Sequence, residues 1–183
     1  MEKIWASVFT TGEKILLPAD KIIKFRPSVY AVIQRDDRLL LMHNKHSVRL
    51  SLPGGGVEHG ETLEKTLRRE LLEETGLEIT IGRFLGFIED FFYYDPSDQL
   101  YQTYCFFYEA TAESFDLLSD DQIEDEESER PRWIKWDDLT ADNIQFGGGE
   151  LMGYLKSGVW GRHEHARAPR QILTQKGLNN SNL

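Results

Sequence analysis

A chain of 183 residues with 40% hydrophobic and 28% charged side chains can bury the core of one domain, and no run nears the roughly 20 apolar residues of a membrane span. Its formal charge of −10 excludes broad binding to nucleic-acid phosphates, which takes clustered Lys and Arg, but leaves open a small phosphorylated substrate brought in by a cation. The single cysteine, Cys105, excludes an internal disulfide and a cysteine zinc site, and fits a reducing, cytoplasmic setting.

The opening residues lack the basic and then apolar pattern of a secretory signal, so none is expected. Residues 4–9 and 14–17 alternate as two short strands, with Thr11-Gly12 as the turn of an N-terminal β-hairpin that Pro18 closes. Residues 28–33 and 39–43 read as strands from their β-branched and apolar content, joined by the polar turn 34–38. A basic loop over 43–49 carries Lys45, His46 and Arg49 and leads into Leu52-Pro53-Gly54-Gly55-Gly56. Glycine accepts φ > 0 and lets backbone approach a ligand closely, so this run can present a carbonyl to a metal or an amide to a phosphate.

Residues 62–75 carry a helical period. Leu63, Leu67 and Leu71 form an apolar stripe, and Glu70, Glu73 and Glu74 fall on or beside its continuation. Glu61 lies at the helix start, where the dipole favours a negative charge, and Gly76 fits the left-handed C-terminal position. Carboxylates at i, i+3 and i+4 are neighbours that repel. Arg69, four residues before Glu73, can offset one of them; the rest point to a hard divalent cation such as Mg²⁺, with waters and substrate phosphates completing its shell. The bland counterpart is a solvated acidic face.

The surrounding residues decide between these readings. Gly55, Glu61, Arg69-Glu70-Leu71, Glu73-Glu74 and Gly76-Leu77 stand at spacings that resemble the Nudix box at every defined position. The resemblance implies a Nudix (MutT-like) hydrolase of α/β (mixed α+β) class, a mixed sheet sandwiched between helices. Residues 28–160 would form this domain, 1–27 an N-terminal β-hairpin extension and 161–183 a poorly ordered polar tail. The extension could serve a homodimer, cover the substrate or protect a sheet edge. By resemblance, Glu70, Glu73, Glu74 and the carbonyl of Gly54 are metal ligands for Mg²⁺ or Mn²⁺, and Arg69 orients Glu73. Glu61 either stabilises the helix start or supports the glycine loop and the metal's outer shell. Lys45, His46 and Arg49 are either substrate contacts near the phosphates or solvated loop charges.

Beyond the box, one strand is expected over 78–89 with a break at Gly82 or Gly86, then a strand end at 91–94 and a turn at 95–97. Residues 102–110 form the strongest strand pattern, where Cys105 reads as a buried, inert thiol. Tyr93 and Tyr94 lie where some family members select the substrate; Tyr94 in particular is a candidate to stack on a nucleobase, with edge packing as the alternative. The acidic run 120–129 reads as a loop. In similar enzymes a glutamate from this loop reaches the metal or activates water, and Glu127 is the candidate ahead of Glu124, Glu126 and Glu129. Residues 130–136 read as a strand, Trp136-Asp137-Asp138-Leu139 as the lead-in to a closing helix capped by Asp137 or Asp138, and 150–156 as a short helix after Gly147-Gly148-Gly149. His163 and His165 have no further ligands beside them and make a poor metal site.

The reaction implied by the resemblance is hydrolysis of the pyrophosphate bond in a nucleoside diphosphate linked to a group X, with Glu73 or Glu127 as general base. A (deoxy)nucleoside triphosphate, oxidised forms included, leads; dinucleoside polyphosphates, nucleotide sugars and ADP-ribose stay open. The expected partner is a small nucleotide, without a membrane or stable nucleic-acid binding. A non-catalytic nucleotide-sensing module is the reading from another class, and the intact box argues against it. Diphosphate isomerase chemistry would want a cysteine in the site.

Overall fold

The computed structural model describes residues 3–43, 47–119, 122 and 130–159. The strands, in chain order, are β1 (Lys3–Val8), β2 (Lys14–Pro18), β3 (Ile23–Phe25), β4 (Ser28–Arg35), β5 (Arg38–His43), β6 (Leu50–Ser51), β7 (Gly54–Gly56), β8 (Ile79–Tyr94), β9 (Gln99–Ala112) and β10 (Arg130–Lys135). Two α-helices accompany them, α1 (Leu63–Thr75) and α2 (Gly148–Ser157). The strands join in one mixed sheet of order β10-β5-β4-β9-β8-β1-β2, with β3 beside β9, β6 beside β5 and β7 beside β4.

β4 organises the sheet because both of its faces are apolar. Val29, Ala31 and Ile33 point to one side, where with Leu40, Leu67, Leu71 and Leu77 they form the core under α1. Tyr30 and Val32 point to the other, where Leu39, Leu41, Phe107, Leu151 and Tyr154 form the core under α2. Period-2 alternation thus feeds two helices from one strand. The expected sheet between helices is what forms. At its start β4 pairs antiparallel with the glycines of β7, Tyr30 opposite Gly54 and Ser28 opposite Gly56; along its length it runs parallel to β9. That pairing sets the glycine run beside α1.

The N-terminal hairpin forms, with Lys3 opposite Pro18 and Ser7 opposite Lys14. It is also built into the sheet, since β1 runs parallel to β8 and β3 runs parallel to β9. β8 and β9 make the long hairpin expected on either side of the turn, which is a 3₁₀ turn at Asp95–Ser97. β8 is one strand of 16 residues, and its register shifts fall between Ile81 and Gly86, where the two glycines permit irregularity.

Two expectations need correction near the C-terminal helix. Trp136–Asp138 is a short 3₁₀ turn without a side-chain cap, so neither Asp137 nor Asp138 caps a helix. The capping residue is Thr140, which exchanges hydrogen bonds with Asn143 in the next 3₁₀ turn. α2 begins inside the glycine run at Gly148, before Glu150, and a side chain at Gly148 would overlap the Ala141 backbone, so the chain packs there only with a glycine. Residues 161–183, the expected tail, lie outside the described residues, as do 120–121 and 123–129 of the acidic run. Among the described residues no helix is long and apolar enough to cross a membrane.

The rotation of α1 can be checked directly. Leu71 is fully buried and Leu72 is 52% exposed. Leu71→Ala is expected to lower unfolding free energy by about 2–5 kcal/mol, and Leu72→Ala by less than about 1 kcal/mol, read from urea denaturation midpoints. Equal losses would contradict this packing.

Candidate active site

α1 starts where Thr62 turns its side-chain oxygen onto the Lys65 amide at 3.2 Å, and it stops at Gly76, whose φ of +74° is the left-handed closure expected. With Leu67 and Leu71 sunk into the core, rotation along the helix carries Glu70, Glu73 and Glu74 to the flank facing β7. The three glutamates and the glycine strand line one cavity of about 540 Å³.

Arg69 holds this flank together. Its Nη1 lies 3.0 Å from Glu70 and 3.1 Å from Glu73, while Nε and Nη2 donate to the two oxygens of Glu61 at 3.2 and 3.0 Å. Nη2 also reaches the Gly56 carbonyl at 3.5 Å. Glu61 is therefore more than a helix-start charge. Its nearly buried carboxylate also accepts from Thr66 at 2.8 Å, and the Arg69 and Thr66 hydrogen bonds hold its pKa down at about 2. It ties the segment before α1 to Thr66 and Arg69 on the helix, and Arg69 in turn reaches the glycine strand. Glu70 is largely buried, and that desolvation pushes its pKa above the ordinary carboxylate value against the pull of Arg69.

The glycines create the space this requires. A Cβ on Gly55 would sit 2.7 Å from a Glu70 oxygen, so only glycine leaves Glu70 its place. Gly54, at φ +132°, would drive a Cβ into the Val29 carbonyl and to 2.9 Å from the Tyr30 Cα. The Gly54 amide donates to Glu74 at 2.9 Å, so it is the amide that meets a box carboxylate here. Among the described residues no three His, Cys, Asp or Glu side chains converge on one point as a metal cluster. Arg69 pairs with Glu70 and Glu73, while Glu74 accepts from the Gly54 amide. In chemistry the donor set, carboxylate oxygens beside a glycine strand, suits a hard divalent cation.

The other candidates separate clearly. Tyr94 stands in the cavity wall with its ring 4.9 Å from Phe9. Tyr93 does not; its hydroxyl donates to Asp98 at 2.6 Å outside the cavity. Arg49 is not among the residues that line the cavity: Nε and Nη2 donate to the Ile144 carbonyl at 3.2 and 2.6 Å, and Nη2 also to the Gln145 carbonyl. Its charge clamps the loop before α2. Lys45, His46 and Glu127 lie outside the described residues. Cys105 is fully buried, and burial pushes its thiol up to about 12, so it supplies no thiolate at neutral pH.

Several lining residues escape a sequence reading. Phe9 comes from beyond β1, Arg26 from the connector before β4, Phe92 and Tyr101 from the long hairpin, and Gln145 and Phe146 from the loop before α2. Their rings pack on one another, Phe92 over Tyr101 at 4.9 Å and Phe146 edge-on to Phe92 at 5.5 Å. No local pattern marks them, since only the sheet order brings these segments together.

Removing the Glu61 charge should cost stability in a pH-dependent way. A pKa held low in the folded state adds stability above the unfolded value of about 4.5 and loses it as pH falls through the folded value near 2. Glu61→Gln is thus expected to melt below the parent at pH 7, the gap in Tm narrowing as pH falls from 5. A gap unchanged at pH 3 would contradict the assigned ion pair.

Comparison with known proteins agrees with this geometry. The NUDIX domain family model matches residues 24–153. An ADP-ribose pyrophosphatase of Methanocaldococcus jannaschii is 40% identical over 62 residues, 32% of this chain and 37% of that protein. Diphosphoinositol polyphosphate phosphohydrolase 3-alpha of Mus musculus is 30% identical over 105 residues, 57% of this chain and 58% of its own. Each match thus spans less than two thirds of the relative's length. The crystal structure of a MutT NUDIX hydrolase from Burkholderia pseudomallei superposes with a TM-score of 0.51 at 27% identity, over 63% of this chain and 87% of that one. With the family match covering most of its length and the box residues gathered on α1 and β7, this chain belongs to the NUDIX domain family.

Proposed function

We propose that this protein hydrolyses the pyrophosphate bond of a nucleoside diphosphate derivative, and that its substrate is a (deoxy)nucleoside triphosphate, oxidised forms included. The observation that carries the reading is the shared cavity. The three box glutamates and Arg26 line it together with the rings of Phe9, Tyr94, Phe92 and Tyr101, a lining suited to phosphates at the charged groups and a base among the aromatics. Its volume of about 540 Å³ suits a mononucleotide. A second reading, ADP-ribose or another nucleotide sugar, is favoured by the similarity to the ADP-ribose pyrophosphatase.

Glu70, Glu73 and Glu74 are the residues that would hold Mg²⁺ or Mn²⁺, which when bound neutralises phosphate charge and orients the attacking water. The chain's own part is positional. Arg69 fixes the Glu70 and Glu73 carboxylates, and Glu61 fixes Arg69. Arg26 brings a positive charge beside Gly56 and Glu70, where it can meet a phosphate oxygen. Water attacks one phosphorus, the bridging P–O bond breaks, and the departing phosphate takes the electron pair. The proton from water passes to a carboxylate, for which Glu73, 59% exposed and held by Arg69, is the described candidate and Glu127 the other.

The test is product release from a panel of nucleoside and oxidised nucleoside triphosphates, dinucleoside polyphosphates, ADP-ribose and nucleotide sugars with Mg²⁺ or Mn²⁺. Turnover of one class, abolished by a chelator, is expected. Glu73→Gln should lower kcat by at least about 100-fold while the Tm stays near the parent's. Near-parent turnover would remove Glu73 from the chemistry, and a folded protein that binds nucleotides without turnover would favour the sensing module.

A further inference from the structure

Among the described residues three buried side-chain polar atoms have no hydrogen-bond partner: Nε1 of Trp133, Nε1 of Trp136 and Nε2 of Gln145. Of these residues only Gln145 lines the cavity. It is 6% exposed, so its amide lies in the wall, shielded from bulk water. A buried N–H without an acceptor is destabilising, and its persistence beside a cavity points to a partner that arrives with a ligand.

The backbone around it is held firmly. The Gln145 amide donates to the Leu50 carbonyl at 2.8 Å, and its carbonyl accepts from Arg49, which also binds the Ile144 carbonyl. Ile144 in turn bridges to Leu50. Arg49 and β6 thus anchor the loop from below, and the side chain at 145 is presented from a fixed position. Next to it stands Phe146, its ring 6.0 Å from Tyr30 and 5.5 Å from Phe92. An unpaired amide donor beside a group of rings suits the polar edge of a heterocycle held among them.

We propose that Gln145 is the residue that discriminates between nucleobases, with Nε2 donating to an acceptor atom on the base edge while the neighbouring rings hold its faces. This rests on the reading that the cavity takes a nucleoside phosphate. Arg49 acts behind it as a positioning residue.

The experiment compares kcat/KM for ATP, GTP, CTP and UTP, and for the diphosphoglucoses of the same bases, in the parent, Gln145→Met and Gln145→Glu. Methionine keeps the volume and removes the donor. Glutamate keeps the shape and replaces the donor with an acceptor. The parent is expected to prefer some bases over others. Gln145→Met should shrink the ratio between best and worst base by at least about fivefold, and Gln145→Glu should move the preference away from the parent's best base toward one that presents an N–H in place of an acceptor at that edge. Equal kcat/KM for all four bases in the parent, or ratios unmoved in both variants, would overturn the assignment while leaving the hydrolase reading intact. A folded parent that turns over no member of either series, and none of the deoxynucleoside or oxidised triphosphates, dinucleoside polyphosphates or ADP-ribose, would bring down the nucleotide reading and this one with it.

Discussion

The site depends on one guanidinium. Glu61, Glu70 and Glu73 would not gather along one flank of α1 without a counter-charge, and Arg69 contacts all three within about 3 Å. A planar fork with five donors can do this where a lysine could not, because its nitrogens address separate carboxylates at fixed angles. Glu61 takes two of those hydrogen bonds from a nearly buried position, which makes it the anchor, while the more exposed Glu73 takes one. The same guanidinium touches the Gly56 carbonyl, so helix and glycine strand are fixed to each other by the residue that organises the carboxylates.

That local arrangement needs a rigid floor, and β4 provides it. Its side chains alternate between two cores, one under α1 and one under α2, and its first three residues pair with β7. Any side chain on Gly54 would collide with this strand, and any on Gly55 would displace Glu70. The glycine run is therefore required by packing on both sides, on β4 below and on α1 beside it.

The remainder of the cavity is assembled from segments far apart in the chain. The hairpin at the N-terminus brings Phe9 against Tyr94, a contact supported where Thr10 donates from both its amide and its hydroxyl to Asp95. At the other side Arg49 spends its charge on two carbonyls of the loop before α2, which sets Gln145 and Phe146 in the wall. Residues outside the box thus complete the wall of the cavity that the glutamates line.

What the sequence alone determined was local and periodic. The helix over 62–75, its closure at Gly76, the apolar stripe and the glutamates beside it all follow from spacing along one helix, and the strand hairpins follow from alternation and turn residues. Contacts that span the sheet had no such signal. Arg49 looked like a substrate contact because its loop is basic, yet a buried guanidinium seeks carbonyls, and those of Ile144 and Gln145 lie about a hundred residues away. Asp137 and Asp138 looked like caps because acidic residues often precede helices, yet the chain makes two 3₁₀ turns there and Thr140 caps instead. Arg26, Phe9 and Gln145 became part of the cavity only when strand order placed their segments around β7, since a pocket wall is a property of packing and leaves no period in the chain.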